Sequence, residues 1–355
     1  MYIKNIKLKD FRNISNCNIH FEKKINLIIG DNAQGKTNLL ESIYFSNFYK
    51  SFRTKNNKNL IKIDKENFFI EVNCINNLSN NNLKIYLDKK NNKKILLNNK
   101  KPEAINLFKT INTIIYYPSE INLLSLYPLF RRNLIDRSIF FIDNQYINEI
   151  KKYNKILKQR NFFLKKEDNK YDPWKDQLIE YSVKIIKRRI EYINRINGKF
   201  KSLYNDKEIK EDYRIEYEKY KNKNIRNILN SEFKNIYKKE LKYGYTLFGP
   251  HIEDFEFFIN EKNIKLYSSE GQKKFFLLNY KYAQLLDYYD FYSYYPILLY
   301  DDLGSELDEK RKKIYFDRIL ENSGQIFLTT TNYREISSKD KKVLNIFDGN
   351  LTEIK

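Results

Sequence analysis

Glycine, proline, cysteine and histidine are all scarce in this chain: its 355 residues include 9, 6, 2 and 2 of them, with a single Trp and a single Met. So few glycines and prolines exclude long flexible linkers, and they make any cluster of glycine informative. Cys17 and Cys74 lie far apart with no metal-ligand spacing, and they read as reduced core residues of a cytosolic protein. His20 and His251 have too few partners for a zinc site. Long apolar runs are missing too. The least charged stretch, 110–130, carries only Glu120 but holds Pro118 and Pro128, and it reads as a buried strand followed by a loop, not a membrane helix. Lys4, Lys7 and Lys9 interrupt the N-terminus before any apolar core, so no signal peptide is expected and the expected location is cytoplasmic. Acidic residues are outnumbered, 45 against 66 Lys and Arg, leaving a net charge of +21. Such an excess points to a polyanionic partner, nucleic acid foremost, although a chain this rich in Lys, Asn, Ile and Tyr also carries lysine on solvated faces through biased codon usage.

Hydrophobic residues, 41% of the chain, suffice for a sizeable core. Alternation predicts strands at 2–8 and 19–21. The continuous apolar run at 25–29 reads as a strand covered on both faces, followed by a helix over 37–48. Short apolar runs at 68–73, 83–87 and 94–97 predict a β meander, and 111–117 a buried strand closed by Pro118. The period then changes. Ile147, Ile150, Tyr153 and Leu157 recur at helical spacing, as do Trp174, Leu178, Tyr181 and Ile185, then Ile190, Ile193 and Phe200. A strand at 213–217 and a helix at 224–241 follow. The segment 119–240 therefore reads as a mainly helical lobe inserted into an α/β domain made of 1–118 and 241–355. Strands are expected again at 245–248, in a hairpin pairing 255–259 with 264–267, and at 296–300 and 325–329, with a helix over 272–288. No internal repeat and no disordered tail are expected.

Four motifs carry chemistry. Gly30-Asp31-Asn32-Ala33-Gln34-Gly35-Lys36-Thr37 matches the P-loop pattern G-x-x-x-x-G-K-[ST], with Asn38 next in the helix. Its glycines let the backbone wrap a phosphate chain, and successive N–H groups at the helix start point at the anion. Lys36 is expected to reach the β- and γ-phosphates of ATP and Thr37 to offer its hydroxyl to Mg²⁺. Ile297-Leu298-Leu299-Tyr300-Asp301-Asp302 is an apolar strand ending in two carboxylates. Asp301 is assigned to Mg²⁺ and Asp302 to polarising the attacking water. Ser268-Ser269-Glu270-Gly271-Gln272 resembles the ABC signature L-S-G-G-Q at Ser269, Gly271 and Gln272, and departs from it at Ser268 and Glu270; a plain helix N-cap accounts for the same residues. Ser305-Glu306-Leu307-Asp308 resembles the D-loop of ABC ATPases, and Thr331 occupies the slot where most of them place a phosphate-sensing histidine. Their order along the chain is that of an ABC-type P-loop ATPase head.

Beyond these motifs, nearly the whole chain resembles the RecF family of bacterial recombination-repair ATPases. The resemblance runs through Asp10-Phe11-Arg12-Asn13, Thr37-Asn38-Leu39-Leu40-Glu41-Ser42-Ile43-Tyr44, Ser51-Phe52-Arg53-Thr54, Tyr117-Pro118-Ser119-Glu120, Arg131-Arg132-Asn133-Leu134-Ile135-Asp136, Lys158-Gln159-Arg160-Asn161, Gly249-Pro250-His251-Ile252-Glu253-Asp254 and Asp301-Asp302-Leu303-Gly304-Ser305-Glu306-Leu307-Asp308. Ile252 stands where that family usually has arginine, Glu270 where it has glutamine, and Lys273-Lys274 where Gln-Arg is common. The stretch near Glu120 stands in for a Q-loop. The resemblance implies an ATP-dependent homodimer with two ATP molecules between the P-loop of one subunit and the signature of the other, with Arg12, Asp308 and Thr331 added to the nucleotide site. It implies slow, DNA-stimulated ATP hydrolysis used as a switch. Its DNA partners would be gapped DNA, single-strand/double-strand junctions and duplex, and its protein partners RecR- and RecO-like proteins that load recombinase, with no membrane partner. The basic run Lys184-Ile185-Ile186-Lys187-Arg188-Arg189 is a candidate phosphate contact, or equally a solvated helix face. Rival readings are the nucleotide-binding subunit of an ABC transporter and an SMC- or RecN-like head. The latter needs long heptad arms, and the roughly 120 residues between the halves are too few for one.

Overall fold

The structure, a computed structural model, describes residues 1–76, 79–103, 110–166, 172–205, 211–221, 223–302, 309–331 and 341–354. The chain divides into two compact units, one formed by Met1–Glu120 with Leu277–Lys355 and the other by Ile121–Phe276.

The first unit holds two sheets. Strands β1 (Tyr2–Phe11), β2 (Ile14–His20), β4 (Asn67–Asn76), β5 (Ser79–Asp88) and β6 (Lys93–Leu97) form an antiparallel sheet in the order β2-β1-β4-β5-β6. The period-2 pattern sends Ile6, Leu8, Phe68, Ile70, Val72, Leu83, Ile85 and Leu87 to one face, where they are buried, and mostly polar residues, with Phe69 and Tyr86 among them, to the other. The second sheet has the order β14-β13-β3-β12-β11-β7, from β3 (Ile25–Ile29), β7 (Thr113–Tyr116), β11 (Ile297–Tyr300), β12 (Ile326–Thr330), β13 (Lys341–Phe347) and β14 (Asn350–Ile354). All its pairings are parallel except β13 with β14. Its central strands β3, β11 and β12 are covered on both faces, which is why they read as mainly apolar runs, interrupted by Asn26 in β3 and by Thr329 and Thr330 at the end of β12. Gln325 joins the sheets: its side chain accepts from the Ile3 amide at 2.7 Å and donates to the carbonyls of Ile3 and Glu22. Cys17 and Cys74 are buried in this unit, and burial pushes their thiols up to about 11 and about 12, so both stay as inert thiols. The mixed α/β head expected from the sequence is present. The C-terminal hairpin β13–β14 was not among the strands expected.

The second unit is mainly helical, with α2 (Glu120–Leu126) entering it and α3 (Pro128–Ile142), α4 (Asn144–Leu164), α5 (Lys175–Asn205) and α6 (Ile225–Tyr243) following. In α4 the buried residues Tyr146, Tyr153, Ile156, Arg160 and Leu164 fall on one face at helical spacing. Arg160 is wholly buried and donates to Asp172 at 2.7 Å, Glu240 at 2.6 Å and Thr246 at 2.7 Å. Removing one partner of such a buried ionic cluster costs about 3–5 kcal/mol, because an uncompensated charge remains. Arg189, read from sequence as a candidate phosphate contact, is buried instead. It donates to both carboxylate oxygens of Asp136 at 2.9 Å and to the Pro250 carbonyl at 2.8 Å. Lys184, in the same run, is exposed and pairs with Glu180 one turn away.

Three local expectations are corrected. The loop expected after the strand at 111–117 is helical from Glu120 onwards, as α2 and then α3. Residues 245–248 form no strand, because their backbone donors go to side chains: Thr246 N–H to Asn161 at 2.9 Å and Leu247 N–H to Glu240 at 2.6 Å. The hairpin pairs β9 (Glu256–Ile259) with the two-residue β10 (Lys262–Asn263), across a two-residue turn in which Asn260 and Glu261 both take positive φ. Residues expected to extend β10 form the short helix α7 (Ile264–Tyr267), because Asn263 accepts from the Lys265 amide and starts it. β9 also pairs with β8 (Tyr213–Glu216), so this three-stranded sheet belongs to the second unit. That unit extends to Phe276, inside α8 (Glu270–Tyr292), where the sequence had placed its end at 240. Among the described residues, no helix is long and apolar enough to cross a membrane.

Candidate functional site

In the parallel sheet β12 lies between β3 and β11, so the C-terminal ends of all three converge. Open α/β sheets bind ligands at that edge. β3 runs into Gly30, and the loop 30–35 leads into α1 (Lys36–Phe48). Glycine is required at both ends of the loop. Gly30 and Gly35 have φ of 150° and 119°; a Cβ on Gly30 would come within 2.4 Å of the Ile346 carbonyl, and one on Gly35 within 2.8 Å of Asn13 Oδ1. Gly35 starts α1 with no side chain to cap it, and the first turn has no acidic residue, so its N–H groups remain available to an anion. Lys36 Nζ folds back onto the carbonyls of Gly30 and Asp31, at 2.5 and 3.0 Å. Burial lowers its pKa, while Asp302, Asp301 and Asp31 nearby oppose that shift and favour the ammonium.

Across the cleft, Thr37 Oγ1 donates to Asp301, with both carboxylate oxygens 2.9 Å away. Asp301 is buried, and burial raises its pKa, opposed by hydrogen bonds from Thr329 and Thr37. Thr329, on β12, donates to Asp301 Oδ1 at 2.8 Å and accepts from the Asp302 amide at 2.9 Å. Asp302 takes a positive φ of 47°, which turns the chain immediately after the strand.

A polar network holds the phosphate loop from behind. Asn13 donates to the Gln34 carbonyl at 2.9 Å and accepts from Asn38 at 2.8 Å. Gln34 receives the Gly349 amide on its carbonyl at 3.0 Å and the Asp348 amide on its side chain at 2.6 Å, so the β13–β14 turn braces the loop. Arg12 grips the buried Glu41 of α1 with two hydrogen bonds, at 2.8 and 2.9 Å, and donates to the Asn59 carbonyl. Arg53 reaches Asn38 at 2.7 Å and Glu41 at 3.5 Å. Glu120 pairs with Lys281 of α8 at 2.9 Å, both buried. Thr331 is exposed just beyond β12.

The expected loop residues Gly30 to Asn38 therefore gather with Asp301 and Asp302, and Arg12 sits behind the loop on Glu41. Asp31, Asn32 and Ala33 form its exposed rim. The structure adds Asn13, Arg53, Thr329 and the Asp348-Gly349 turn, none of which sequence reasoning assigned to the site. Asn13 and Arg53 had been noted in family motifs and Thr329 in the strand leading to Thr331, each without a role. Asp308 and the rest of Ser305–Asp308 lie outside the described residues. In the second unit, Ser269 and Gln272 close a reciprocal capping box at the start of α8: Gln272 Oε1 accepts from the Ser269 amide at 2.9 Å, and Ser269 Oγ from the Gln272 amide at 3.3 Å. The N-cap reading of that motif is thus realised. Ser269 remains exposed with its hydroxyl proton uncommitted in that box, and Gly271 adds no side chain.

Comparison with known proteins places this geometry. The model of the RecF/RecN/SMC N terminal domain matches residues 2–353. A DNA replication and repair protein RecF of Clostridium acetobutylicum is 36% identical, covering 98% of this chain and 97% of that protein. A protein of the same name from Bacillus cereus is 33% identical over 98% of each chain. A solved structure of the recombination mediator protein RecF with ATP in the RecFOR pathway has a TM-score of 0.88 and 31% identity, covering 99% of both chains. With its glycine-built loop, its paired acids and a head of this fold, the chain belongs to the RecF family of DNA replication and repair proteins.

Proposed function

We propose that this protein is an ATP-dependent DNA-binding switch of recombinational repair and replication-fork maintenance, which closes as a homodimer, clamps DNA at gaps and acts with RecR- and RecO-like partners in loading recombinase. Its expected location is the cytoplasm. The observation that carries the reading is the contact of Thr37 with Asp301 directly beneath an uncapped, glycine-built loop. The similar RecF structure is one with ATP, and that loop carries ATP to this chain. The donor set suits Mg²⁺: a hydroxyl and a carboxylate are hard oxygen ligands, and Thr329 holds the carboxylate in place. Thr37 and Asp301 would hold the ion, which when bound neutralises charge developing on the phosphates. Lys36 then exchanges its two carbonyl contacts for phosphate oxygens, and Asp302 orients and polarises water.

Replacing Asp302 with Asn keeps shape and removes the basic oxygen. ATP affinity should stay within about twofold, while turnover falls by about 10²–10⁴, the usual contribution of a general base. Single-turnover hydrolysis beside calorimetric ATP binding checks this; wild-type turnover in the variant would place the base elsewhere.

The reading as a whole is tested by ATP-dependent binding to gapped, duplex and single-stranded DNA across a salt series, with gel filtration with and without ATP. Phosphate contacts release counterions, so log affinity for duplex should fall linearly with log salt, by about 0.9 per phosphate neutralised. A flat response from low to physiological salt would mean that the +21 charge serves no polyanion. Failure to dimerise on ATP would remove the clamp.

A further inference from the structure

The five-stranded antiparallel sheet has a solvent face that the nucleotide site does not use. Register aligns its outward residues into rows. One row runs Asn16, Lys9, Phe69, Tyr86, Lys94 across all five strands. The next runs Asn18, Lys7, Glu71, Lys84. Lys7, Lys9, Lys94 and Tyr86 are exposed and Phe69 half-buried, whereas their sequence neighbours Leu8, Phe68, Ile70, Ile85 and Leu87 are buried. Glu71, the acidic member of the two rows, is engaged by Asn82 at 2.8 Å and by Lys84 at 3.8 Å. The face thus presents two adjacent aromatic rings between lysines. By strand spacing those lysines stand about 14 Å apart.

We infer that this sheet face is a binding site for single-stranded DNA, with bases stacking on Phe69 and Tyr86 and flanking phosphates held by Lys9, Lys94 and Lys7. It rests on the DNA-binding reading above and adds to it the surface and the strandedness. Charge complementarity selects a polyanion. The rings select one whose bases are unstacked, because a duplex offers this flat face only its phosphates, whereas every unpaired base has a π-face to lay on an aromatic side chain. Cross-strand stabilisation of the sheet is the other use of such a pair, and β-branched residues serve it as well as rings do.

That difference provides the test. The full chain carrying Phe69→Val and Tyr86→Val keeps strand propensity and loses both π-faces. With oligo(dT) as probe and ATP present, its affinity should drop at least tenfold, since each of the two base–aromatic stacks contributes about fivefold or more. Duplex affinity and melting temperature should not change. Phe69→Tyr with Tyr86→Phe should bind oligo(dT) like the wild type, and an abasic oligonucleotide should bind the wild type as weakly as oligo(dT) binds the valine variant. Lys9→Gln with Lys94→Gln should reduce the single-strand salt slope by about 1.4, two phosphates' worth. Wild-type oligo(dT) affinity in the valine variant, with duplex binding intact, overturns this site and leaves the DNA reading standing. Equal loss on duplex also overturns it. If the wild type binds neither form of DNA, both fall together.

Discussion

Lys36→Ala should abolish ATP binding at micromolar nucleotide, and with it ATP-dependent DNA retention. The ammonium sits between the carbonyls of Gly30 and Asp31 and is drawn towards Asp302 and Asp301. No other lysine lies in the loop. Truncating one partner of a desolvated charge pair costs about 2–5 kcal/mol, so affinity should weaken by at least about thirtyfold. The fold should survive, because the loop is held independently by Asn13, Gly349 and Asp348 through Gln34. Calorimetry of ATP binding decides the matter. Unchanged affinity with an intact melting curve would mean that the phosphate chain is bound elsewhere.

The second large effect concerns Ser269, proposed to contact the γ-phosphate of ATP held by the other subunit. Ser269→Arg should leave ATP binding to the monomer intact, since Lys36 and Thr37 are untouched. Dimerisation, hydrolysis and DNA retention should be lost together, because in the proposed mechanism all three depend on the closed sandwich. Arginine also removes the N-cap of α8, a loss worth about 1 kcal/mol, so a second variant separates the two effects. Ser269→Asp caps the helix as well as serine does, yet sets a negative charge against the phosphate. It should melt like the wild type and fail to dimerise on ATP. Mixing Ser269→Arg with Lys36→Ala protein builds one site from two intact faces, and part of the hydrolysis should return. If Ser269→Arg weakens ATP binding to the monomer, the residue acts within its own subunit and the shared-site mechanism is wrong.

These two positions illustrate how legible the site is. Lys36 stands out because a phosphate loop is a local device: strand, glycine turn and helix start lie within a dozen residues, and a sequence poor in glycine advertises the pair that builds it. Ser269, Gly271 and Gln272 stand out for the same reason, since a capping box spans four residues. The short, mainly apolar runs of β3, β11 and β12 announce strands buried on both faces. Less legible were short segments whose neighbours decide their state. Residues 245–248 look like a strand by composition, but Asn161 and Glu240 take the amides that a ladder would need. The Asn260-Glu261 turn lacks the Asn-Gly signal of a two-residue hairpin, so its length could not be inferred.

What the sequence determined by itself is whatever depends on neighbours along the chain: the phosphate loop, the apolar strands, the amphipathic helices and the ordered motifs of an ATPase head. What only the tertiary structure decided depends on partners far apart in sequence. Thr329 reaches Asp301 and the Asp302 amide across adjacent strands. Asp348 and Gly349 brace Gln34 from more than three hundred residues away. Arg12 is committed to Glu41, Arg189 to Asp136, and the lysines flanking Phe69 and Tyr86 come together only through strand register. A side chain's charge is written in its residue type, but whether that charge is buried in a pair, set at a phosphate or offered to solvent is fixed by which distant backbone folds against it. Burial and strand register are properties of the whole packed chain, and no window of local sequence contains them.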